Sequence, residues 1–408
     1  MNVQSGIQRA LPLAGVRVVE LTHMVMGPTC GMILGDLGAD VIKVEPLAGD
    51  NTRRLPGLGA GFFRTFNRNK RSVALDLKTA EGLEVVRKLA ASADILNENF
   101  KPGKLDAMGL GYDDLRADNP RLIYVSHKGF LPGPYQDRTA LDEVVQMMGG
   151  LAYMTGPPGQ PMRAGTSVND IMGGMWGVIG VLAALREREH TGCGQRIQSS
   201  LFENCVLLSA QHMQQFAMTG EAPSPMPVRK TTWAVYDLFK SSDGRPIFIG
   251  ATGEGQWKTI CHVLGLTDLL DDPQLQTNNE RVAARPRILP MIERAVATQS
   301  FDMLCETLES HGLPFAPVNR PEDLFDDPHL LASGGLGKVR TENGDETLVP
   351  LLPLLLGERR LGEQASGIPA IGNGTREILA ELGYSTDEIA RLLQTKAAAA
   401  PSQPMELA

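Results

Sequence analysis

Short apolar runs of strand length recur through the first part of the chain, separated by stretches with helical spacing. Val16-Arg-Val-Val-Glu-Leu21, Asp40-Val-Ile-Lys-Val-Glu45, Ser72-Val-Ala-Leu-Asp-Leu77, Asp94-Ile-Leu-Asn97 and Leu122-Ile-Tyr-Val-Ser126 are rich in β-branched residues and read as strands. Residues 29–37 and 80–91 carry the helical spacing between them. Further on, Gln195-Arg-Ile-Gln-Ser199 reads as another strand and 201–220 as a helix. Alternation of this kind predicts an α/β fold, a parallel sheet with helices packed on its faces. Ligands on such sheets gather beyond the C-terminal ends of the strands. The loops assigned to those ends are Thr22–Pro28, Arg68–Arg71, Asn97–Gly103 and Ser126–Phe130, and they hold the unusual polar residues.

The texture changes at Glu221-Ala-Pro-Ser-Pro-Met-Pro227, a proline-rich connector that puts a boundary near residue 225. The expected division is 1–225, then a smaller domain over 226–330 with short strands at 233–239 and 246–250, then a tail over 331–408. The tail carries a strand pair and a helix over 375–382. Its alanine-rich end, 397–408, is expected to fray.

Composition narrows the classes of function. With 408 residues, 42% hydrophobic and 21% charged, the chain can bury one large core or two ordinary ones. A formal net charge of -8 and the lack of any basic block argue against nucleic acid, so an anionic ligand requires local positive charge. Five scattered cysteines show no paired metal-ligand spacing and read as reduced thiols of a cytoplasmic protein. Residues 1–12 lack the basic start and apolar core of a signal peptide, and no apolar run is read as reaching membrane-spanning length.

One acid stands out. Asp170 closes Met162-Arg-Ala-Gly-Thr-Ser-Val-Asn-Asp170 and opens the glycine-studded apolar run 171–185, the position of a helix N-terminus. Free N–H groups and the helix dipole favour an anion there, so Asp170 is expected to be ionised near neutral pH. Two roles fit: a plain N-cap or a carboxylate nucleophile. Walker A, Gly-x-Ser-x-Gly and His-Glu-x-x-His sequences are absent, and the glycines of Ile249-Gly-Ala-Thr-Gly-Glu-Gly255 do not have dinucleotide-binding spacing.

Taken together, Leu13-Ala-Gly-Val-Arg-Val-Val-Glu-Leu-Thr-His23 with Gly27-Pro28, Leu37-Gly-Ala-Asp-Val-Ile-Lys-Val-Glu45, Asn69-Lys-Arg-Ser72, Glu98-Asn-Phe-Lys-Pro-Gly103 and Thr191-Gly-Cys-Gly-Gln195 resemble the class III CoA-transferases, the family of formyl-CoA transferase and carnitine CoA-transferase. The resemblance spans nearly the whole chain. It implies a Rossmann-like large domain built from both chain ends, a smaller α+β domain, and an interlocked homodimer. It makes Asp170 the nucleophile, which attacks an acyl-CoA thioester to give a mixed anhydride and free CoA thiolate. The thiolate and the acceptor carboxylate then complete transfer through the anhydride and an aspartyl-CoA thioester. No permanently bound cofactor or metal is implied; CoA and acyl-CoA are substrates.

The same resemblance assigns CoA contacts to His23, Val25, Arg68, Asn69, Lys70, Arg71, Asn99, Phe100, Lys101, Lys104 and Lys128, the lysines and arginines supplying positive charge. Gly149-Gly150 and Gly253–Gly255 are candidate oxyanion donors. Two departures narrow the activity. Val25 replaces the glutamine of formyl-CoA transferase, which argues against formyl transfer. Leu141 in Ala140-Leu141-Asp142 replaces the histidine base of the related racemases, which leaves racemisation, like a catalytically silent CoA sensor, as an alternative only. Lys128–Tyr135 and Leu141–Gly156 resemble the branch handling succinate, itaconate, mesaconate and similar C4 to C5 acids. A second carboxylate then needs a cation: Arg163, seven residues before Asp170, or less directly Arg138 or Arg54. Asp142 and Glu143 belong near the site by resemblance, or serve as helix-start acids.

Overall fold

The computed structural model describes residues 10–229, 231–362 and 366–401. Two compact units emerge: one runs up to Pro227 and resumes at Pro328, the other is Val228–Asp327.

In the first unit, six strands form a parallel sheet: β1 (Arg17–Leu21), β2 (Asp40–Glu45), β3 (Lys70–Leu75), β4 (Ile95–Glu98), β5 (Ile123–Lys128) and β6 (Arg196–Ser200). Their order is β3-β2-β1-β4-β5-β6, so the winding reverses between β1 and β4. That reversal opens a crevice beyond the C-terminal ends of these two strands.

The strands carry apolar residues on both faces because both are covered, with the buried polar and charged ones, such as Glu20, Lys43, Glu45 and Glu98, in their C-terminal parts. Val19, Ile42, Val73 and Leu96 pack against Val85, Val86 and Leu89 of a helix over Ala80–Ser92 and against Ile378 and Leu379 near the C-terminus. Val18, Val41, Ile95 and Val125 face Cys30 and Leu34 of α1 (Met26–Asp36), and Val178 and Val181 of a long helix over Val168–Thr191. The two helices touch closely, since a Cβ on Gly174 would sit 2.6 Å from the backbone oxygen of Met26. With 24 residues, the long helix is, by length and composition alone, apolar enough to cross a membrane, contrary to the reading of the sequence; here it packs on α1, β5 and β6.

The chain end also departs from expectation. Ala397 and Ala398 are 1% and 2% exposed, and Ala398–Ala399 pairs antiparallel with β3, so this part of the expected loose end is built into the sheet. Residues 402–408 lie outside the described residues. The second unit is a three-stranded antiparallel sheet, β7 (Val235–Lys240), β8 (Pro246–Ala251) and β9 (Phe315–Pro317), with its own core around Val235, Ile249, Trp257, Ile292 and Leu304.

Candidate active site

The crevice at the reversal is built by the loops after β1 and β4, which are clamped together. The side-chain oxygen of Asn99 accepts from the His23 backbone N–H (3.0 Å), and its amide donates to the His23 carbonyl (2.7 Å). From below, the buried Lys43 ammonium donates to the Thr22 carbonyl (2.8 Å). The clamp holds Met24 at φ 64°, a left-handed conformation that a methionine adopts only when its surroundings over-determine it.

Two cavities meet at this loop. The larger, about 730 Å³, has apolar walls that include Leu21, Val44, Leu75 and Met108, with Lys78 and Lys104 on its rim. The smaller, about 370 Å³, is lined by Asp170, Asp142, His127, Lys128 and Arg138. His23, Met24 and Phe100 border both, and the His23 and Phe100 rings meet edge to face at 6.3 Å. The residues common to both cavities therefore come from the switch-point loops. Met24 comes from the turn after β1, within the expected loop Thr22–Pro28, and Lys78 from the turn after β3; sequence reasoning missed Lys78, although it lies at a strand's C-terminal end, which is the signal that could have found it.

Asp170 sits in the first turn of the helix Val168–Thr191, which has Ser167 at its N-cap and no side-chain cap bond from that residue. The capping is done from another element. Asp142, first residue of a helix over Asp142–Met148, accepts through Oδ2 from the backbone N–H groups of Asn169 (2.8 Å) and Asp170 (3.0 Å). Its other oxygen accepts from the Gln146 side chain, and Gln146 in turn accepts from the Ala164 N–H (2.7 Å). Asp170 is thus relieved of capping, and its carboxylate lines the cavity.

Its titration also differs from the expectation of an acid stabilised by a helix end. Burial first, and the Asp142 carboxylate second, push Asp170 up to about 7, with Arg163 opposing. The helix N–H groups that would have stabilised the anion are already occupied by Asp142.

The profile of CoA-transferase family III matches residues 13–375. The chain is 35% identical over 389 residues to the succinate–glutarate CoA-transferase of Agrobacterium fabrum, covering 92% of this chain and 96% of that protein. The chain belongs to CoA-transferase family III. It is 33% identical to the succinyl-CoA:mesaconate CoA-transferase of Haloarcula hispanica, with 92% and 97% of the two chains covered. A CAIB/BAIF family protein from Brucella suis has the same fold, with a TM-score of 0.81, 36% identity, and 92% and 100% coverage.

Set against the contacts that the family resemblance implied, the structure brings together His23, Asn99, Phe100, Lys101, Lys128, Arg138, Asp142 and Asp170 around the smaller cavity, and Lys104 on the larger. Lys128 is spoken for, however: its ammonium donates to both oxygens of Glu98 (2.7 and 3.0 Å) and to the Phe100 carbonyl (2.7 Å).

Other expected contacts are elsewhere in this family III member. The Arg68–Arg71 segment enters β3 and so lies at the opposite end of the sheet from the loops of the crevice. Arg68 is 1% exposed and pairs with Asp36 (2.6 Å); Asn69 bonds Asp36 and the Ser366 N–H. Lys70 is buried against Glu20, and Arg71 is bound to Asp40 and Glu381. Val25, 1% exposed, faces the core beside α1.

Arg163 does not line the cavity of Asp170; it faces Glu143 (3.5 Å) and Asp142 (3.9 Å) and donates to the Ala164 carbonyl. Arg54 donates to the Ala48 carbonyl. Gly149 and Gly150 lie between the helix at Asp142 and the next one, outside the lining of either cavity, and Gly253–Gly255 belong to the second unit.

Proposed function

We propose that this chain transfers CoA between short dicarboxylic acids, with Asp170 as the covalent carrier. The observation that supports it is a carboxylate freed from helix capping, set at a 370 Å³ cavity that shares His23, Met24 and Phe100 with a second cavity of about 730 Å³. In this reading the nucleotide and pantetheine occupy the larger cavity, with Lys78 and Lys104 toward the phosphates, and the thioester reaches Asp170.

The chemistry balances without proton transfer. The Asp170 oxygen attacks the thioester carbonyl, the C–S bond breaks, and a mixed anhydride and CoA thiolate form. The thiolate attacks the aspartyl carbonyl, which releases the donor acid and leaves an aspartyl-CoA thioester. The acceptor carboxylate attacks that thioester, and the thiolate returns to the acceptor's carbonyl and frees Asp170. One negative charge passes along the sequence, so Asp170 has to begin ionised. Relatives named for succinate, glutarate and mesaconate support acids with two carboxylates. Arg138, which lines the cavity and stacks on Tyr135 at 4.8 Å, is the better candidate for the distal carboxylate than Arg163. An apolar stripe of Met175, Trp176, Ile179 and Leu182, 40–51% exposed, supports the interlocked homodimer, as a second copy would cover it.

The test is mass spectrometry of the purified protein with succinyl-CoA and glutarate, mesaconate, itaconate, malate, citramalate or oxalate. New CoA thioesters from one or more diacids are expected. Tight CoA binding with no product from any acid would instead favour a silent CoA sensor.

A pH profile follows from the same electrostatics. Since the ionised form reacts and its folded pKa is raised to about 7, kcat/KM is expected to climb with pH and level off above that value. Asp142→Asn keeps an acceptor for the helix N–H groups but removes the like charge, so the limb moves to lower pH. Arg163→Gln removes the opposing cation and moves it higher. Profiles that coincide in all three proteins would dissociate Asp170 from the limb.

A further inference from the structure

Two turns in succession shape the loop after β5. In Gly133-Pro134-Tyr135-Gln136 the Gln136 N–H donates to the Gly133 carbonyl (3.2 Å), and the proline has its φ already set for the second position of such a turn. The Arg138 N–H then donates to the Tyr135 carbonyl (2.9 Å), so the chain doubles back and the Arg138 guanidinium lies over the Tyr135 ring, 4.8 Å from its centroid. The loop's ends are drawn together, since a Cβ on Gly129 would sit 2.4 Å from that of Ala140.

Tyr135 is 45% exposed, yet its ring is held from the core. It meets the rings of Phe130 (5.8 Å, 66°) and Phe202 (6.4 Å, 84°) edge to face. Phe130 is buried, and Phe202 stands in the first turn of a helix over Leu201–Thr219. That turn also fastens the loop: the Phe202 N–H donates to the Gly129 carbonyl (3.0 Å), and the Glu203 carboxylate accepts from the Leu131 N–H (3.3 Å).

Arg138 lines the cavity of Asp170. Among the described residues no carboxylate pairs with it, whereas Arg163 faces both Glu143 and Asp142. A guanidinium stacked by its face keeps the N–H groups of its edge free, and those are the donors that grip a carboxylate with two hydrogen bonds.

We propose that Tyr135 is a positioning residue for substrate choice: it holds Arg138 by the face, so that the guanidinium edge meets the distal carboxylate of the acid and diacids are preferred to acids with a neutral end. The proposal rests on the reading of Arg138 as the partner of that carboxylate.

The experiment uses the whole chain with succinyl-CoA as donor and compares glutarate with its half-amide, which keeps the length and the reacting carboxylate and loses only the distal charge. Wild type is expected to favour glutarate by about tenfold or more in kcat/KM, the scale of a charge-assisted pair. Arg138→Gln should bring the ratio toward one. Tyr135→Ala should lower it about two- to fivefold, the scale of an exposed ring–cation contact, and Tyr135→Phe, which retains the ring face, should keep the wild-type ratio. In the Arg138→Gln background Tyr135→Ala should lower it no further. Damage to the fold alone would depress both acids alike, so the ratio separates positioning from structure. If Tyr135→Ala did not fold, Tyr135→Leu, which fills the space without a π face, carries the same expectation. An unchanged ratio in the folded variant overturns the proposal, and so does an equal fall in Tyr135→Phe. A wild-type ratio at or below one removes the distal contact and the role of Tyr135 with it, while the transferase reading stands. If neither acid accepts CoA, the transferase reading itself fails and this role falls with it.

Discussion

Asp170→Ala is expected to lower kcat for CoA transfer by a factor of ~10⁴ or more, the scale on which removal of a covalent nucleophile acts. No neighbour is placed to substitute. Asp142 borders the same cavity, but one of its oxygens holds the N–H groups of Asn169 and Asp170 and the other holds Gln146. CoA affinity should change little, since the proposed nucleotide cavity does not include Asp170. Thermal stability separates lost chemistry from lost fold, and the sign is specific. The folded pKa of Asp170 lies near 7, above the ordinary aspartate value, so ionising it in the native state costs stability that grows between about pH 4 and 7 and is complete above that range. The isosteric Asp170→Asn should therefore melt at or above wild type at pH 8, and the difference should shrink as the pH falls toward 4. Preserved turnover in folded Asp170→Ala would remove Asp170 from the mechanism, and the active site would have to be sought elsewhere.

How legible the molecule was depends on the range of the forces involved. Strands β1, β2, β4 and β5 lie within a residue or two of the apolar runs that announce them, since a sheet covered on both faces writes itself as near-continuous hydrophobic sequence. Strand β3 starts two residues before the expected Ser72, because Lys70 and Arg71 look like loop until their partners are known. Those partners are remote: Glu20 is fifty positions from Lys70, and Glu381 more than three hundred from Arg71. A charged residue type does not reveal whether its counter-ion is a ligand phosphate or a carboxylate of the same protein. The site divides the same way. Asp170 was visible because a helix start is local, while the capping of that helix by Asp142, twenty-eight residues earlier, is a tertiary fact, and so is the burial that, with the Asp142 charge second, raises the Asp170 pKa. The terminal alanines were read as loose because they carry no signal beyond small size; pairing with β3 is what orders Ala398 and Ala399.

Lys70→Met is expected to destabilise the fold by about 3–5 kcal/mol, the range for removing one partner of a buried ion pair, with little effect on the KM for acyl-CoA at temperatures where the variant is folded. All three ammonium hydrogens are committed: to Glu20 (2.8 Å), to the Pro28 carbonyl (3.0 Å) and to the Asn67 side chain (2.9 Å). Burial pulls its pKa down to about 8, against the attraction of Glu20, so the lysine is still mostly charged at neutral pH. Without it Glu20 keeps the Asn97 amide at 3.4 Å and, as counter-charge, Lys43 at 3.5 Å, which is already shared with Asp50 (3.2 Å) and the Thr22 carbonyl. The strain would then reach the loop of His23 and Met24, since Lys43 is what holds that loop from below. Lys104→Met supplies the contrast: Lys104 is exposed on the rim of the larger cavity, so its loss should raise the KM for acyl-CoA and leave denaturant stability within about 0.5 kcal/mol of wild type. If the two variants exchanged behaviours, with Lys70→Met stable but weak in CoA binding and Lys104→Met unstable, the ion pair would not be structural and the nucleotide would have to lie on the other side of the sheet.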